Sequence, residues 1–451
     1  MFAPRPYQQA AVDAGLTYLQ DPKLKGKNGL IVAPTGSGKS LLIALLATRL
    51  DAPCVVFQPS KEILEQNLAK LAHYGYRAAV FSASMGRREI GTITLATIGT
   101  AINHPEAFAD VPYVLVDECH AVNPKGGMYA DFMEVVGSNV GGARILGLTA
   151  TPYRLASNSF GAQLRFLTRT VPRVFNDVVH YTDIGVLMED GYLCPPQYRE
   201  VELLRREKLK LNSTGADFTD RSVQLEMLET GFVGRLQAEA ERQFDEGRRN
   251  LLVFTRFVDE SRRLAKVLPG TEVVTAETPD RERAAILDGF KRGQIRCVAN
   301  VGIVSLGFDY PELEAVILAR PSISLALYYQ QVGRIIRPLY APGVDLSTRE
   351  GRILAIAASS KPIAHVVDMV GLVKQFGRVE DLALKPGGAS GKQWAIYSGE
   401  RPLTNCYFEN TSAPQAPAQA SLIGAPARRG GGLDKNARRR RFWAKRARAA
   451  R

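Results

Sequence analysis

Residues Ala33 to Ser40 have the composition of a phosphate-binding loop, and they read Ala-Pro-Thr-Gly-Ser-Gly-Lys-Ser. An apolar run short enough for a buried strand precedes them, and a run compatible with a helix follows. In such a turn, backbone N–H groups and a helix N-terminus converge on phosphate oxygens. Lys39 would reach the β- and γ-phosphates, and Ser40 would ligate Mg²⁺. The residues expected to hold the nucleotide phosphates are Pro34, Thr35, Gly36, Ser37, Gly38, Lys39 and Ser40. Ala33 stands where the generic motif has glycine, so an ordinary strand-to-helix turn is the alternative for these residues taken alone.

A pair of carboxylates, Asp117 and Glu118, directly follows the apolar run 113–116. Phosphoryl transfer needs a carboxylate that holds Mg²⁺ and a second group that positions the attacking water. Asp117 suits the first role and Glu118 the second. An acidic pair alone is more often a solvated loop. The preceding apolar run and the spacing of roughly 80 residues from Lys39 favour a catalytic pair instead.

Short apolar runs alternate with helix-like segments through two parts of the chain. This alternation is typical of parallel βαβ units, whose functional loops follow the carboxyl ends of the strands. In the first part the strand-like runs are Gly29–Val32, Cys54–Phe57, Ala78–Phe81, Ile93–Thr97, Tyr113–Val116 and Arg144–Leu148, with helices at Ala10–Leu19 and Lys61–Tyr74. In the second part they are Leu251–Phe254, Glu272–Thr275, Arg296–Ala299, Ala315–Leu318 and Ile353–Ile356, and His365–Met369 is a candidate for a last strand.

The length of 451 residues predicts two or three domains, and 45% hydrophobic with 23% charged residues is ordinary globular composition. The sequence has no apolar run of membrane-spanning length and no signal peptide at its start, so we expect a soluble, cytoplasmic protein without a membrane partner. The five cysteines are scattered, which argues against zinc or disulfides. Of the net charge of +13, residues 428–451 carry +10. The basic character is therefore mostly a tail.

Composition changes divide the chain into five predicted segments. They are a first α/β domain at 1–170, an inter-domain connection with a candidate small helical insert at 171–234, a second α/β domain at 235–377, a small extension at 378–409, and a flexible linker with a basic tail at 410–451.

With motif II written Asp117-Glu118-Cys119-His120, the chain resembles superfamily 2 helicases of the DExH type. The resemblance runs from Arg5 to about Gly377 and includes many motifs in the family's order. It implies an α/β fold of two tandem RecA-like domains with parallel sheets, followed here by the flexible basic tail. Alanine is a usual first residue of motif I in this family, so Ala33 no longer counts against the phosphate loop. ATP and Mg²⁺ are the implied cofactors.

The resemblance assigns further roles in the first half. Arg5, Tyr7 and Gln8 resemble the adenine-recognition motif, in which Gln8 would hydrogen-bond the adenine edge. The residues implied to touch the nucleic-acid backbone are Pro59 and Ser60 of motif Ia and Thr97, Gly99 and Thr100 of motif Ib. Motif III resembles Thr149, Ala150 and Thr151, a hydroxyl-bearing hinge that links hydrolysis to strand movement.

In the second half, Thr255 resembles motif IV, and Gly307 and Asp309 occupy the family's positions in motif V. Motif VI resembles Gln330 to Arg337. Arg334 and Arg337 are spaced i, i+3, so a helical turn would present both to one face. Their implied role is that of arginine fingers that neutralise charge on the γ-phosphate, with Gln330 beside them. Two arginines on a helix, taken alone, usually mean a solvated face.

Three segments narrow the branch: Glu189–Pro196, Thr278–Arg283 and His365–Gly377 resemble RadD-like bacterial and phage helicases and, more distantly, XPB-type helicases. The resemblance implies an ATP-dependent DNA helicase or translocase, active in repair, recombination or replication, in a bacterial cell or phage-infected host. Single-stranded or junction DNA is the expected partner, and protein partners are left open. The alternatives are an RNA helicase or remodeller, and a nucleic-acid-binding scaffold with a vestigial ATP site.

The tail combines cations with aromatic residues. Arg438, Arg439, Arg440, Arg441 and Trp443 could bind phosphates and stack on a base, at about 1–3 kcal/mol per stacked base. The alternative is a tail that is only solvated by its charge.

Overall fold

The chain folds into two α/β halves, each built on a parallel β-sheet, in a computed structural model that describes residues 4–137, 142–158, 161–213, 215–302, 309–387, 393–405 and 407–408. The first-half strands are β1 (Gly29–Val32), β2 (Cys54–Gln58), β3 (Ala79–Ser82), β4 (Arg87–Arg88), β5 (Ile93–Thr97), β6 (Tyr113–Asp117), β7 (Arg144–Thr149), β8 (Tyr153–Asn158), β9 (Gly161–Phe166) and β10 (Asp177–Tyr181). The first-half helices are α1 (Pro6–Gln20), α2 (Lys39–Arg49), α3 (Lys61–His73), α4 (Ile98–Ala101), α5 (Met128–Gly137) and α6 (Ile184–Glu189).

The first sheet has the order β10-β1-β7-β6-β2-β5-β3-β4, and only the β3–β4 pair is antiparallel. Every residue of β1, β2 and β6 is buried. Strands covered on both faces read as continuous apolar runs, which is why the sequence pattern located them. The predicted strand at 93–97 agrees in both bounds with β5.

The second half contains the strands β11 (Pro196–Glu200), β12 (Leu251–Phe254), β13 (Thr271–Val274), β14 (Cys297–Asn300), β15 (Ala315–Leu318) and β16 (Ala364–Asp368). Its helices are α7 (Asp220–Glu229), α8 (Phe232–Asp245), α9 (Val258–Val267), α10 (Asp280–Lys291), α11 (Leu325–Gly333), α12 (Arg349–Ala357) and α13 (Leu372–Phe376). The sheet is parallel with the order β11-β16-β15-β12-β14-β13. The predicted α/β class with parallel sheets is confirmed.

Four more strands complete the described chain: β17 (Leu382–Gly387), β18 (Gln393–Ser398), β19 (Arg401–Pro402) and β20 (Tyr407–Phe408). β17, β18 and β19 form an antiparallel sheet. β20 pairs with β9, so the chain returns from the second half to the first. The backbone N–H of Leu384 also donates to the Tyr181 hydroxyl at 3.1 Å. The segment 378–409, expected to be a small extension, therefore contacts the first half.

Segment 171–234, expected to be an inter-domain connection, supplies β10 to the first sheet and β11 to the second. One expectation differs from the structure. The predicted strand at Ile353–Ile356 is wrong, since these residues lie in α12. An apolar run of four residues fits a helix as well as a strand, and here the Thr348 hydroxyl accepts from the Gly351 backbone N–H and starts a helix. Within the described ranges, no helix is both long and apolar enough to cross a bilayer.

Candidate functional site

The phosphate loop lies between β1 and α2, as the sequence predicts. Gly36 and Gly38 both have φ near +87°, a left-handed conformation that glycine adopts without strain. Gly38 is the residue that caps α2, so Lys39 and Ser40 begin that helix. Ser37 is buried and its hydroxyl donates to the Pro34 carbonyl at 2.7 Å. The backbone is thus folded back on itself, with the helix N-terminus free to face an anion.

The predicted adenine-recognition residues hold this loop in place. The Gln8 side-chain amide donates to the Ser37 carbonyl at 2.8 Å, and the Tyr7 hydroxyl donates to the same oxygen at 2.9 Å. The Gln8 amide oxygen accepts from the Arg5 backbone N–H at 2.9 Å. The start of the chain is therefore fastened to the phosphate loop. Contact between Gln8 and adenine stays a prediction. The Arg5 guanidinium also lies 4.9 Å from the ring centre of Tyr192, a residue that was not singled out from sequence.

The carboxylates of motif II lie beside the phosphate loop. Lys39 forms an ion pair with Glu118, and Glu118 has φ of +47°, a strained conformation for a non-glycine residue. Burial and the adjacent Glu118 raise the pKa of Asp117 to about 6. Burial would also raise the pKa of Glu118, but Lys39 and His120 outweigh it and hold that pKa well below its usual range. Glu118 is thus a stable anion, as a group that orients water must be.

Motif III is joined to motif II through His120. The His120 Nδ1 lies 2.9 Å from the Thr149 hydroxyl and 3.1 Å from the Thr151 hydroxyl. The same nitrogen is 3.3 Å from the Glu118 Oε2. Ala150 between the threonines is buried. One imidazole therefore connects the proposed water-positioning carboxylate to the strand end at which the predicted coupling motif begins.

Ser40 and Asp117 supply the donor types that Mg²⁺ prefers, a hydroxyl and a carboxylate oxygen. The Lys70 ammonium lies 3.3 Å from the Ser40 Oγ, and Asp117 contributes to the electrostatic environment of the same ammonium. Ser40 and Asp117 therefore face a common region, which fits a cation bound with phosphates and water. Among the residues that the structure describes, no cluster of three or more histidine, cysteine or acidic side chains forms an all-protein metal site.

The second half closes over the phosphate loop through motif VI. A β-carbon added to Gly333 would lie 2.6 Å from the Thr35 β-carbon, so the two halves are in tight contact here. Arg334 follows directly and is only 8% exposed. Burial, and then the neighbouring Arg337, lower the pKa of Arg334 to about 10, while Glu118 acts in the opposite direction. Arg334 therefore lies within electrostatic reach of motif II.

Arg337 forms an ion pair with Asp309, which joins motif VI to the end of motif V. The expectation that Arg334 and Arg337 share a helical face is wrong, because α11 ends at Gly333 and carries Gln330 but neither arginine. Pro338 disfavours helical backbone at the residue before it, which is a physical reason why the helix does not continue to Arg337. Arg337 nevertheless lies next to the phosphate loop, since an added Gly36 β-carbon would be 3.7 Å from its Cγ, and Arg334 follows Gly333, which contacts Thr35 of that loop.

The predicted nucleic-acid contacts have mixed exposure. Pro59 and Ser60 are partly exposed, Ser60 caps α3, and Gly99 is exposed. The Thr97 hydroxyl is partly exposed and bonds to that of Thr100, which accepts from the Ala83 backbone N–H at 2.9 Å and so holds a turn. Thr255 is 1% exposed and its hydroxyl lies 2.6 Å from that of Ser261. A direct contact of Thr255 with nucleic acid is therefore not supported, and a coupling role stays a prediction.

Some predicted residues lie outside the described part of the chain: Gly307 and the tail residues Arg438, Arg439, Arg440, Arg441 and Trp443. The sequence interpretation also missed residues of the site. His120 entered only as the last residue of motif II, without a role of its own, although it lies two residues after Glu118. Lys70 and the buried Lys361, whose ammonium donates to the Arg337 carbonyl at 2.8 Å, gave no signal because only the fold brings them near the motifs.

Comparisons with known proteins find similar families and relatives. Residues 1–154 match the family model described as type III restriction enzyme, res subunit, and residues 237–338 match the helicase conserved C-terminal domain. A 51.5 kDa protein of a Lactococcus phage is 25% identical over 68% of this chain and 62% of its own length. A protein of Haloarcula marismortui, described as a putative DNA 3'-5' helicase Rad25, is 26% identical over 69% of this chain and 48% of its own length.

This chain thus spans about half to three fifths of the length of these two relatives. Among solved structures, the type ISP restriction-modification enzyme LlaBIII bound to DNA matches with a TM-score of 0.54 and 16% identity, over 82% of this chain and 28% of its own. That likeness concerns the fold. With these two family models matched in order, and with motifs I, II and VI meeting at one cleft, the chain belongs to the superfamily 2 helicases.

Proposed function

We propose that the protein is an ATP-dependent DNA helicase or translocase whose ATP site is completed by the closure of its two halves. The observation that carries the proposal is the contact of motif VI with the phosphate loop, where Gly333 meets Thr35 and brings Arg334 near Glu118. The first half holds Lys39, Ser40 and the carboxylates. The second half contributes Arg334 and Arg337, so closure and turnover are linked.

The residues divide the chemistry between them. Lys39 and the loop N–H groups bind the β- and γ-phosphates, and Glu118 orients water. Ser40 and Asp117 would hold Mg²⁺, which neutralises phosphate charge. Arg334 and Arg337 stabilise charge on the transferred phosphoryl group. His120 links Glu118 to Thr149 and Thr151, which provides a physical route from hydrolysis to movement of the halves.

We favour DNA as the substrate, and within DNA we favour single-stranded or junction DNA. The support is the similarity to relatives that carry the names of DNA 3'-5' helicases and translocases. The similarity to a phage protein supports a location in the cytoplasm of a bacterial or phage-infected cell. A role in DNA repair, recombination or replication belongs to the same proposal. Protein partners stay open.

ATP hydrolysis with and without single-stranded DNA tests the proposal. Turnover should rise with DNA, and RNA should stimulate it less. Lys39→Ala and Arg337→Ala should each abolish turnover, whereas Lys266→Ala, an exposed cation on α9, should leave it unchanged. A purified protein whose ATP hydrolysis ignores DNA would contradict the proposal and favour a scaffold with a vestigial site.

A further inference from the structure

Two adjoining clefts on the first half are lined by cations that the helicase motifs do not include. The larger cleft has a volume of about 650 Å³ and the smaller about 300 Å³, and Thr170 and Val171 line both. The cations are Lys27, Arg169 and Arg173 in the larger cleft, and Lys125, Arg154 and Arg165 in the smaller one. They form one continuous basic surface around the β8–β9 hairpin, which we call the hairpin surface.

The positive charge of the hairpin surface is not balanced locally. Within the described chain, none of its six cations has a carboxylate oxygen within 4.0 Å. Asp177 is the one acidic residue among the described lining residues, and its Oδ1 accepts from the Val178 backbone N–H at 2.9 Å. Burial, then Arg165 and Arg173, lower the pKa of Arg169, which places these like charges close together. Unbalanced charge in a concave surface concentrates positive potential and attracts polyanions.

The larger cleft of the hairpin surface lies at a different edge of the sheet from motifs Ia and Ib. Lys27 precedes β1 and Asp177 begins β10, so the larger cleft lies at the amino edge of the first sheet. Ser60 and Thr97 instead follow or end β2 and β5 at the carboxyl edge, on the other side of the strand order. A ligand held in the larger cleft would thus make contacts separate from those of Ser60 and Thr97, whereas the smaller cleft includes Arg154, three residues after Thr151.

The side chains of the hairpin surface favour a phosphate backbone over unpaired bases. The described residues that line the smaller cleft include no aromatic ring, and Tyr18 is the one aromatic among those of the larger cleft. Proteins that hold unpaired strands usually offer aromatic rings for base stacking. Arginines without such rings instead contact phosphates, and these contacts carry no sequence information.

We propose that the hairpin surface binds the phosphodiester backbone of duplex DNA next to the strand on which the motor acts. This inference rests on the proposed function, because it supposes a DNA substrate. It adds a second, electrostatic contact that lies outside the helicase motifs. The contact would hold the duplex arm of a junction and would be independent of sequence.

The salt dependence of DNA binding by the full chain tests the inference. Two probes are compared, a duplex and a single strand of the same sequence. A triple variant, Arg165→Gln with Arg169→Gln and Arg173→Gln, should flatten the log–log salt slope for the duplex by up to about 2.7, at about 0.9 per lost phosphate contact. Duplex affinity should fall about tenfold or more at moderate salt, and single-strand affinity should change little.

Two matched variants control for charge and folding. The substitutions Arg221→Gln, Arg235→Gln and Arg263→Gln remove three exposed cations from α7, α8 and α9, and should leave the slope unchanged. Replacing Arg165, Arg169 and Arg173 by lysine keeps the charge and should retain most duplex binding.

The inference is overturned if the glutamine variant and the wild type have the same salt slope for duplex binding. It is also overturned if the glutamine variant loses as much affinity for the single strand as for the duplex. The DNA-stimulated ATP hydrolysis of the wild type is measured in parallel. If that stimulation is present, an unchanged salt slope refutes only the proposal that the hairpin surface binds duplex DNA. If it is absent, the proposed function fails whatever the slopes show.

Discussion

Thr35 of the phosphate loop and Gly333 of motif VI are in contact across the cleft, with 2.6 Å between the Thr35 β-carbon and the place of a β-carbon on Gly333. Carbon atoms pack best at about 3.5–4.0 Å, so no larger residue fits in this closed arrangement. Glycine is therefore required at position 333 for the two halves to close, and it is not required for α11 to form.

Gly333→Ala should keep the fold but impair closure. Alanine is the better helix former, by about 1 kcal/mol, so the substitution should not destabilise α11 itself. We expect DNA-stimulated kcat to fall about tenfold, equivalent to about 1.4 kcal/mol. Gly234→Ala in α8 is the control, since an added β-carbon there meets nothing within 4 Å. Full activity in Gly333→Ala would show that turnover does not require the closed contact.

His120→Ala should separate hydrolysis from movement. It removes the group that lies within hydrogen-bond distance of Thr149 and Thr151 and leaves their buried hydroxyls without that partner. We expect about a tenfold loss of strand displacement or translocation per ATP hydrolysed, with ATP affinity nearly unchanged. His104→Ala, which removes an imidazole that lies 3.5 Å from the Glu106 carboxylate, is the control. A variant that loses ATP binding and movement together would argue for a structural role.

Lys361→Met should destabilise the second half. Lys361 is 1% exposed, and its ammonium donates to the Pro311 carbonyl at 2.5 Å and the Arg337 carbonyl at 2.8 Å. Methionine fills the space of the stem but leaves both oxygens without this donor, at a net cost of about 2 kcal/mol. Urea unfolding measures the loss. Lys266→Met on the exposed face of α9 should unfold like the wild type, and an equal midpoint for Lys361→Met would contradict the expectation.

Glu260 should make stability depend on pH. Its side chain is buried, and its Oε1 has no hydrogen-bond partner within the described chain. Burial raises the pKa of Glu260 from 4.5 to about 7, although backbone N–H groups of Arg256 and Phe257 act against this. The folded state then holds a proton that the unfolded state has lost, so stability falls as pH rises from about 4.5 to about 7.

The substitution Glu260→Gln removes this titration. We expect the variant to be more stable than the wild type at pH above about 7, by up to about 3 kcal/mol, and this gain to disappear in acid. Unfolding free energies across this pH range test the expectation. The matched control is Asp259→Asn at the exposed neighbouring position. If the unfolding free energies of Glu260→Gln and the wild type changed with pH in parallel, the pH dependence would come from groups other than Glu260.

Sequence patterns located the strands because buried parallel strands are continuous apolar runs. The predicted strands 251–254 and 315–318 agree in both bounds with β12 and β15. The strand prediction at 353–356 was wrong because an apolar run of four residues fits a helix as well as a strand. The residue that starts the helix, Thr348, lies outside the run. The strands β10 and β11 were missed because prolines and charged residues around them hid a weak pattern.

Motif spacing likewise located Lys39, Asp117 and Glu118 but not the groups that organise them. The contacts of His120 with Thr149 and Thr151, like those of Lys70 and Lys361, join residues far apart in sequence, so they exist only after folding. The break in helix at Arg334 depends on local backbone, which the i, i+3 spacing did not reveal.

The chain crosses between the halves twice, from β10 to β11 and again after α13, where β17 reaches Tyr181. A single crossing would allow the halves to swivel in any direction. Two separate crossings define an axis, and rotation about that axis becomes the main remaining degree of freedom. Opening of the cleft is thereby reduced to one main coordinate, the rotation of the two halves about that axis.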